Sequence, residues 1–322
     1  MQLDRVAILG AGAWGTALAQ AAAIAGREVT LVGRDPMVIA EINELRVNSA
    51  HLPGVTLLDT ISASTSLPDA DLVVLAVPAQ ATRFAVAALD GRLDGKPVVL
   101  TAKGLEHGTL ARQSQVLAEA APGAIPYVLS GPSFAADVAS GRPTAVTLAG
   151  DHPDRTSAVA AALAGPTFRL YAADDRLGVE LAGALKNVYA IGCGAVDGAG
   201  LGASARSALL ARAFAELTRL VVRMGGGAST LTGLAGLGDL TLSCTSTQSR
   251  NYRYGVSLGR GESPGSDLAE GALTAPVARQ LANQVRIDAP LIDAVNLLID
   301  GNTSIADIVA GLMSRPLKRE ED

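Results

Sequence analysis

The sequence predicts an α/β domain over residues 1–180, followed by an all-α domain over residues 181–322. Short runs rich in β-branched residues alternate with helical segments in the first half, which is typical of a parallel sheet covered by helices. A glycine-rich turn follows the first of these runs, and the strand-like runs stop after about residue 175. A chain of 322 residues is also long enough for two domains with ordinary cores.

Five apolar runs in the first half are predicted to be strands, and two later runs can add further strands. The five are residues 5–9, 28–32, 71–77, 97–102 and 125–130, and the two additional runs are residues 143–150 and 167–171. Helices are expected to begin near Trp14, Pro36, Ala79 and Thr109, each between two of the five strands. This alternation predicts parallel pairing, because a crossover helix returns the chain to the same end of the sheet.

From Leu177 onward the chain is predicted to be helical. The first helical segment runs through Lys186, a second covers about residues 204–224, and a third follows Gly255. Because strand-like runs are missing from this part of the sequence, we expect a domain built from packed helices.

Proline and hydroxyl residues mark the starts of the last helices, since proline fits the first helical turn and a hydroxyl can cap it. Pro276 is predicted to open a helical stretch that ends at Arg286, and Pro290 to lie in the first turn of the next helix. Thr303 or Ser304 is predicted to cap the last helix.

The charge balance argues against two classes of partner. The formal net charge is −5 and the isoelectric point is about 5.3, whereas nucleic-acid and anionic-membrane surfaces need clustered positive charge. Hydrophobic residues make up 49% and charged residues 18%, which excludes a disordered chain. We therefore expect a folded protein that binds no nucleic acid and holds any anionic ligand through local groups.

Cysteine and histidine are too few and too scattered for a disulfide framework or a structural zinc site. Cys193 and Cys244 form no CxxC pattern, and the three histidines lie apart. A reducing, cytoplasmic setting and no bound metal are therefore expected. Residues 6–26 carry no charge and resemble a signal peptide, but glycines, Thr16 and Gln20 weaken the apolar run, so we expect neither export nor an integral membrane segment.

The segment from Gly10 to Gly15 reads GAGAWG, a GxGxxG pattern directly after the first strand and at the start of a helix. The first glycine permits the tight turn, the second lets the backbone approach a pyrophosphate, and the third lets the helix pack on the strand. N–H groups at the helix N-terminus would bind the anion. The pattern predicts a Rossmann-like dinucleotide site at Gly10, Gly12 and Gly15; the alternative is an ordinary glycine-rich turn.

The residues after the second strand indicate which dinucleotide is bound. Gly33 and Arg34 occupy the place where NAD-selective folds hold a carboxylate for the ribose 2′-hydroxyl. Arg34 favours a 2′-phosphate and hence NADP, but Asp35 could swing in, so use of NAD as well as NADP stays open. The competing interpretation of Arg34 is a solvated surface residue.

Polar residues follow the predicted strands at the edge where open α/β sheets bind ligands. Lys103 follows the strand at 97–102, and Ser133 follows the strand at 125–130. Lys103 could reach a substrate oxygen or phosphate, and Ser133 could offer a hydrogen bond to a ligand. Ser133 could equally be an ordinary N-cap.

Lys186 lies within an apolar helical segment and is a candidate for proton transfer. Helical spacing places Ala182, Gly183, Tyr189 and Ala190 three and four residues from it, and these mostly small residues would form a recess. Burial there would disfavour the charged ammonium, which suits a group that must give up a proton. The alternative is a surface lysine whose stem lies along apolar neighbours.

A later glycine-rich segment combines a carboxylate with several hydrogen-bond donors. Its glycines let other parts of the chain approach Asp239, and Ser249, Arg250 and Asn251 are predicted to begin a helix that runs toward Gly259. Arg250 and Asn251 would then offer side-chain donors beside a helix N-terminus, which predicts a phosphate site. A solvated arginine cluster and a structural Asp cap are the alternatives.

Seven segments between about Val6 and Gly271 carry a family resemblance. They are GAGAWGTALA, VPAQATR, TAKGLE, SGPSFA, GALKNVYAIGCGAVDGAGLG, GLAGLGDLTLSCTSTQSRN and AEG. Together they resemble NAD(P)-dependent glycerol-3-phosphate dehydrogenases of the bacterial type. Two residues depart from the pattern of that family: Ser243 replaces the usual Thr and keeps a hydroxyl, and Ser204 replaces the usual Asn. The second departure concerns only a hydrogen bond behind the residues that contact the ligand.

The resemblance implies a role for each candidate residue. Lys186 would be the proton donor and acceptor, Lys103 and Asp239 would complete the polar centre, and Arg250 with Asn251 would hold a phosphate. The substrate-binding residues would be Lys103, Gly131, Ser133, Asp239, Ser243, Ser249, Arg250 and Asn251. The cofactor-binding residues would be Gly10, Gly12, Ala13, Trp14, Gly15, Arg34, Lys103, Ala135, Arg250 and Glu270.

The implied reaction is reduction of dihydroxyacetone phosphate at C2 to sn-glycerol 3-phosphate, with hydride from NADPH or NADH. Lys103 would stabilise the developing alkoxide, and Asp239 would hold Lys186 and offset its desolvation. The product would feed glycerophospholipid synthesis, and the resemblance also implies a homodimer. Two alternatives remain: another two-domain dehydrogenase that acts on a hydroxy or amino acid, and a non-catalytic protein that senses dinucleotides.

Overall fold

The computed structural model describes residues 2–265 and 269–316, which group into two compact units. The first unit comprises the chain up to Ala184 together with Gly225–Asp239, and the second comprises Leu185–Met224 together with the residues from Leu240 onward. The predicted domain boundary after residue 180 stays a prediction. The segment Gly225–Asp239 belongs to the first unit although it follows that boundary in sequence.

The first unit contains a sheet, and its strands are β1 (Arg5–Leu9), β2 (Glu28–Val32), β3 (Ile61–Ser64), β4 (Leu72–Leu75), β5 (Pro97–Leu100), β6 (Ile125–Ser130), β7 (Thr144–Gly150) and β8 (Phe168–Ala173). Within the described part of the chain these eight strands lie in the order β3-β2-β1-β4-β5-β6-β7-β8. Neighbouring strands are parallel except β6 and β7, which are antiparallel. The α/β prediction for this half of the chain is therefore confirmed.

The predicted strands are confirmed in position, with β1, β2 and β6 at the predicted bounds and the others differing only at their ends. The sequence does not predict β3, which reads ISAS and pairs only with β2 at the edge of the sheet. An edge strand can carry polar residues because it is less completely buried, so the continuous apolar run that marks a central parallel strand is missing.

The expectation of a parallel sheet is wrong at β7, which runs against β6. The connection between these strands contains only a five-residue helix, Ala135–Ala139. A helix rises only about 1.5 Å per residue, so this one cannot return the chain along the whole length of a strand before β7 begins. The chain therefore turns back beside β6.

The helices of the described chain are α1 (Ala13–Ile24), α2 (Pro36–Leu45), α3 (Thr82–Ala87), α4 (Gln113–Ala120), α5 (Ala135–Ala139), α6 (Pro153–Leu163), α7 (Arg176–Gly198), α8 (Gly202–Arg223), α9 (Ala228–Thr232), α10 (Asp239–Thr245), α11 (Arg250–Gly259), α12 (Glu270–Gln284), α13 (Pro290–Asp300) and α14 (Ile305–Met313). A 3-10 turn at Ala79–Ala81 precedes α3, and a π-helical turn at Leu234–Gly238 precedes α10. Among the residues that the structure describes, no helix combines the length and the apolar character of a membrane span.

Two predicted helix starts are wrong. Thr109 does not open α4, because Leu110 adopts φ 62°, outside the helical region, and the helix begins at Gln113. Pro276 lies inside α12 rather than at its start, and Glu270 occupies the first turn. The predicted start sites of α2, α13 and α14 are confirmed, with Ser304 as the cap of the last.

The predicted helical segments of the second half are confirmed as α7 and α8, and the segment beginning at Arg250 is confirmed as α11. After Gly255 the described chain contains the end of α11, which runs to Gly259, and then α12 from Glu270.

Alternate residues of the central strands pack on opposite faces of the sheet, as the two-residue period of a strand requires. Val6 and Ile8 belong to a core cluster with Leu18 of α1, whereas Ala7 belongs to a separate cluster with Leu117 of α4. Helices therefore cover both faces, and the carboxyl ends of β1, β2, β5 and β6 stay at one edge of the sheet, where the chain can present polar groups.

In the second unit, α7 and α11 meet through glycines spaced four residues apart on each helix. These are Gly194 and Gly198 of α7, and Gly255 and Gly259 of α11. A methyl group at any of them would lie 2.0 to 2.2 Å from a backbone carbonyl oxygen of the facing helix. Residues four apart lie on one face of a helix, so the two backbones are in direct contact along this glycine interface.

Replacing Gly255 with Ala is expected to destabilise the protein by about 1 to 3 kcal/mol, because the new methyl group would overlap the carbonyl of Ile191. Gly311→Ala is the matched control, since Gly311 lies in α14 with no atom within 4 Å of an added methyl group. Alanine is the better helix former, so the control should gain up to about 1 kcal/mol. Urea unfolding measures the stability of both variants. Equal changes in unfolding free energy would contradict the close contact at Gly255.

A buried carboxylate joins three helices of the second unit. Glu216 of α8 is 1% exposed and accepts hydrogen bonds from the backbone N–H groups of Leu291 and Ile292, each 3.0 Å long, at the start of α13. The hydroxyl of Tyr189 on α7 donates to the same carboxylate over 3.4 Å. Burial raises the pKa of Glu216 from 4.5 to about 7, against the opposing effect of the two backbone donors.

This raised pKa makes stability depend on pH. The carboxyl ionises in the unfolded chain at lower pH than in the folded one, so its contribution to stability falls as pH rises from 4.5 to about 7. Glu216→Gln removes the titration. We expect the unfolding free energy of this variant, relative to wild type, to rise on the order of 2 to 3 kcal/mol between about pH 5 and about pH 8. If the unfolding free energies of Glu216→Gln and wild type differ by the same amount at both pH values, the raised pKa of Glu216 is contradicted.

Candidate active site

The turn between β1 and α1 has the geometry of an anion-binding loop. Gly10 adopts φ +119°, and a methyl group on it would lie 2.5 Å from the Ala76 carbonyl oxygen. A methyl group on Gly15 would lie 1.8 Å from the Gly10 carbonyl oxygen. Both glycines are therefore required by the packing of the chain itself.

Gly12 is different, because a methyl group there would meet no protein atom within 4 Å. This residue is the N-cap of α1, no side chain caps the helix, and its first turn holds no acidic residue. The N–H groups of a helix N-terminus favour negative charge, and an acidic side chain there would compete with an anion. The turn therefore leaves room for a phosphate group at the N-terminus of α1, and its residues fit the pyrophosphate of a dinucleotide.

The other cofactor candidates of the first unit lie around this turn or at the end of β2. Ala13 and Trp14 form the start of α1 and are partly buried. Ala135 begins α5, which packs against α1. Arg34 is exposed. The carboxylate of Asp35 caps α2 by accepting the Met37 N–H over 2.9 Å, so it is engaged in the helix cap.

A buried ion pair connects Lys103 and Asp239 within the first unit. Lys103 Nζ donates to Asp239 Oδ2 over 2.7 Å and to the Gly131 carbonyl oxygen over 3.0 Å. The Asp239 side chain is 1% exposed and that of Lys103 is 18% exposed. Ser130 Oγ donates to the same carboxylate oxygen over 3.4 Å, and Ser133 Oγ donates to the Gly131 carbonyl oxygen over 3.1 Å.

This arrangement places a fixed cation beside polar groups at the carboxyl ends of β5 and β6. Burying two charges is costly unless they pair and hydrogen-bond, and here Lys103 and Asp239 satisfy one another. The Lys103 ammonium therefore has a set position and can stabilise negative charge on a nearby oxygen. Ser133 does not cap α5, whose N-cap is Phe134, so the N-cap alternative for this residue is wrong.

The second unit holds the remaining candidates. Lys186 is 5% exposed, and its Nζ donates to Ser243 Oγ over 2.7 Å. This position excludes the alternative of a surface lysine. The hydroxyl of Ser243 thus meets the lysine directly, and the replacement of the Thr usual in the resembling family keeps this contact.

The start of α11 carries the predicted phosphate donors. Ser249 is the N-cap and accepts the Tyr252 N–H at its Oγ over 3.3 Å. Arg250 is the exposed first residue of the helix. Asn251 accepts the Gly271 N–H at Oδ1 over 2.8 Å, which directs its amide NH2 group away from that contact. Glu270 stands beside Gly271 in the first turn of α12.

The structure thus assembles the candidates in two sets, and their roles stay predictions. The first unit holds the glycine turn, Ala13, Trp14, Arg34, Lys103, Gly131, Ser133, Ala135 and Asp239, and the second unit holds Lys186, Ser243, Ser249, Arg250, Asn251 and Glu270. The partnership of Asp239 with Lys186 also stays a prediction. The sequence places Ser130 at the carboxyl end of β6 but gives it no role, and the structure adds its hydrogen bond to Asp239.

Comparison with known proteins gives matches along almost the whole chain. Residues 5–156 match the family model described as NAD-dependent glycerol-3-phosphate dehydrogenase N-terminus, and residues 175–310 match the corresponding C-terminus. The glycerol-3-phosphate dehydrogenase (NAD(P)+) of Caulobacter vibrioides is 47% identical, with 99% of this chain and 100% of the relative covered. The Brucella ovis protein of the same name is 49% identical, with 98% and 99% covered.

Solved structures give the same result. The glycerol-3-phosphate dehydrogenase of Coxiella burnetii superimposes with a TM-score of 0.90 at 35% identity, covering 97% of this chain and 99% of that one. The yeast glycerol-3-phosphate dehydrogenase from Saccharomyces cerevisiae, at 24% identity and a TM-score of 0.84 over 98% of this chain and 100% of that one, shares the fold.

Proposed function

The chain belongs to the family of NAD-dependent glycerol-3-phosphate dehydrogenases, and from this premise we infer that it interconverts dihydroxyacetone phosphate and sn-glycerol 3-phosphate with a nicotinamide dinucleotide. The observation that carries this conclusion is the match to these enzymes along nearly the full length of the chain. The geometry supports it, because the glycine turn suits a dinucleotide and a fixed ammonium suits a reacting oxygen.

The proposed mechanism assigns one task to each group of residues. When bound, the nicotinamide supplies or accepts the hydride. In reduction, Lys186 donates a proton to the carbonyl oxygen as the alcohol forms, and in oxidation it takes that proton back. Lys103, held by Asp239 and by the Gly131 carbonyl, stabilises the negative charge that develops on the oxygen. Ser243 orients the Lys186 ammonium through its hydroxyl.

The substrate phosphate is assigned to the start of α11. Arg250 would form charge-assisted hydrogen bonds to it, and Asn251, whose Oδ1 is engaged by Gly271, would offer its NH2 group. Ser249 fixes the first turn as its N-cap, so the backbone donors there are ordered. Gly131, Ser133 and Glu270 complete the proposed set of substrate and cofactor contacts.

A spectrophotometric assay tests the proposal. The loss of NADPH absorbance is followed with dihydroxyacetone phosphate, with 2-keto acids, and with no second substrate. NADPH consumption that requires dihydroxyacetone phosphate supports the proposed reaction. Consumption with a 2-keto acid instead would identify a hydroxy-acid dehydrogenase, and binding of NADPH without any turnover would identify a dinucleotide sensor.

For the choice of cofactor, we propose that NADP is favoured through Arg34. The Asp35 carboxylate, which could otherwise accept a ribose 2′-hydroxyl, is engaged in capping α2. Arg34→Ala should therefore weaken NADPH binding by about 1.5 to 3 kcal/mol, the range for a hydrogen bond to a charged group, and leave NADH binding almost unchanged.

Fluorescence titration with each cofactor measures this difference. Arg92→Ala is the control, because Arg92 is also exposed but precedes β5, at the amino ends of the strands and away from the ligand edge. Equal losses for both cofactors in Arg34→Ala would refute the assignment.

Family resemblance also supports a homodimer and a role in supplying glycerophospholipid synthesis. Light scattering after size-exclusion chromatography tests the first, because the mass would be twice the 32.6 kDa of one chain. The cytoplasmic setting stays a prediction.

A further inference from the structure

Asn48 makes direct contact with the glycine turn from a distant part of the sequence. It lies between α2 and β3, yet its side chain is buried, with 1% exposed. Asn48 Nδ2 donates to the Ala11 carbonyl oxygen over 3.0 Å and to Thr16 Oγ1 over 2.8 Å. Ala11 is part of the turn and Thr16 lies in α1, so one side chain connects the turn to its helix.

The chemistry of these partners settles the orientation of the amide. A carbonyl oxygen can only accept, so the NH2 group of Asn48 must face Ala11. Its Oδ1 is then directed into the interior, where it has no hydrogen-bond partner among the described residues. A buried acceptor without a partner is unfavourable, but the NH2 group of the same side chain satisfies the Ala11 carbonyl and the Thr16 hydroxyl. These two hydrogen bonds hold the Ala11 carbonyl in one direction.

The contact with Ala11 also sets the direction of the next N–H group. In a trans peptide the C=O and N–H bonds lie in one plane and point in opposite directions. With the Ala11 carbonyl directed at Asn48, the Gly12 N–H is directed the opposite way. Gly12 is the N-cap residue at which an added methyl group would meet no protein atom. This is the open position assigned above to the pyrophosphate.

We infer that Asn48 is a positioning residue for the dinucleotide: it holds the Ala11 carbonyl so that the Gly12 N–H faces the pyrophosphate. This inference rests on the proposed function only in requiring that a dinucleotide binds. Because the pyrophosphate is common to NAD and NADP, Asn48 acts on both cofactors alike, unlike Arg34.

Asn48→Leu removes the donor at similar volume. The dissociation constants of NADH and NADPH are measured by fluorescence titration, together with that of adenosine 2′,5′-bisphosphate, which lacks the pyrophosphate. We expect both cofactors to bind about tenfold more weakly, as for the loss of one hydrogen bond, and the bisphosphate to bind unchanged. With dihydroxyacetone phosphate as substrate, KM for NADPH should rise while kcat at saturation stays near that of wild type.

Asn43→Leu is the matched control, since Asn43 makes two hydrogen bonds to the backbone of Ala63, of 3.0 and 2.8 Å, and neither involves the turn. A loss of cofactor affinity in Asn48→Leu no greater than in this control, or an equal loss for the bisphosphate, would overturn the inference. If Asn48→Leu does not fold, Asn48→Ala, which removes the donor without adding a bulky apolar group, should show a loss of the same pattern; wild-type affinity for both cofactors there would overturn the inference. The titrations measure cofactor binding without turnover. A failure of the proposed reaction would therefore appear in the activity assay and leave the test of Asn48 unaffected.

Discussion

Replacing Lys186 with Met is expected to lower kcat for dihydroxyacetone phosphate by about 10² to 10⁴, the range for loss of a general acid. Methionine keeps an unbranched stem of similar length and removes the ammonium. Lys186 is buried and donates to Ser243, so bulk water is poorly placed to take over the proton. The affinity for NADPH should be retained, because the assigned role concerns the reacting oxygen rather than cofactor binding.

Lys96→Met is the matched control for this change. Lys96 donates to Asp69 and to the Ala70 carbonyl oxygen at 2.8 and 2.7 Å, and it precedes β5, at the opposite end of that strand from Lys103. Single-turnover rates, NADPH dissociation constants and melting temperatures are compared for both variants. A Lys186→Met protein that keeps most of its turnover would remove this lysine from the mechanism, and a parallel loss of NADPH affinity would indicate a structural defect.

Replacing Arg250 with Ala should cost on the order of 2 to 4 kcal/mol in kcat/KM for dihydroxyacetone phosphate, or roughly 30- to 1000-fold. The phosphate is remote from the reacting carbonyl, and binding energy gained there can position the substrate for hydride transfer. Dihydroxyacetone lacks the phosphate, so its kcat/KM should change little. The quantity to measure is the ratio of kcat/KM for the two substrates.

Arg253→Ala is a control from the same helix. Arg253 donates to the Thr247 and Gln248 carbonyl oxygens over 2.8 and 3.2 Å. Its replacement removes one positive charge, as Arg250→Ala does, but keeps the assigned phosphate donor. The ratio should stay near that of wild type in this control. If Arg250→Ala slows both substrates alike, Arg250 acts through the cofactor or the fold, and the phosphate site must be sought at Lys103 or Ser133.

Features encoded by neighbouring residues could be predicted from the sequence. The apolar runs of β1 and β2, the GxGxxG turn and the Ser249 cap depend on residues close to one another in the chain, so their patterns are visible without the fold. Pro276 shows the limit of such signals. A proline in mid-helix is unfavourable on its own, yet α12 continues through Pro276 from Glu270 to Gln284.

Features that depend on distant residues could not be predicted in this way. The direction of β7 depends on how the short connection from β6 packs. Lys103 and Asp239 are 136 positions apart, and Asn48 and Ala11 are 37 apart, so nothing local marks either pair. Candidate residues could thus be identified by type and motif, whereas their partners required the folded chain.

The glycine interface fixes the two helices that carry the proposed proton donor and the proposed phosphate donor. Lys186 and Arg250 stand on α7 and α11, whose spacing is set by contact between backbones rather than by side chains that can change rotamer. The backbone positions of the two residues therefore keep a constant separation, and adjustment to a longer substrate is left to the exposed Arg250 side chain. A ketose phosphate lengthened by one methylene between carbonyl and phosphate is expected to be a poorer substrate than dihydroxyacetone phosphate.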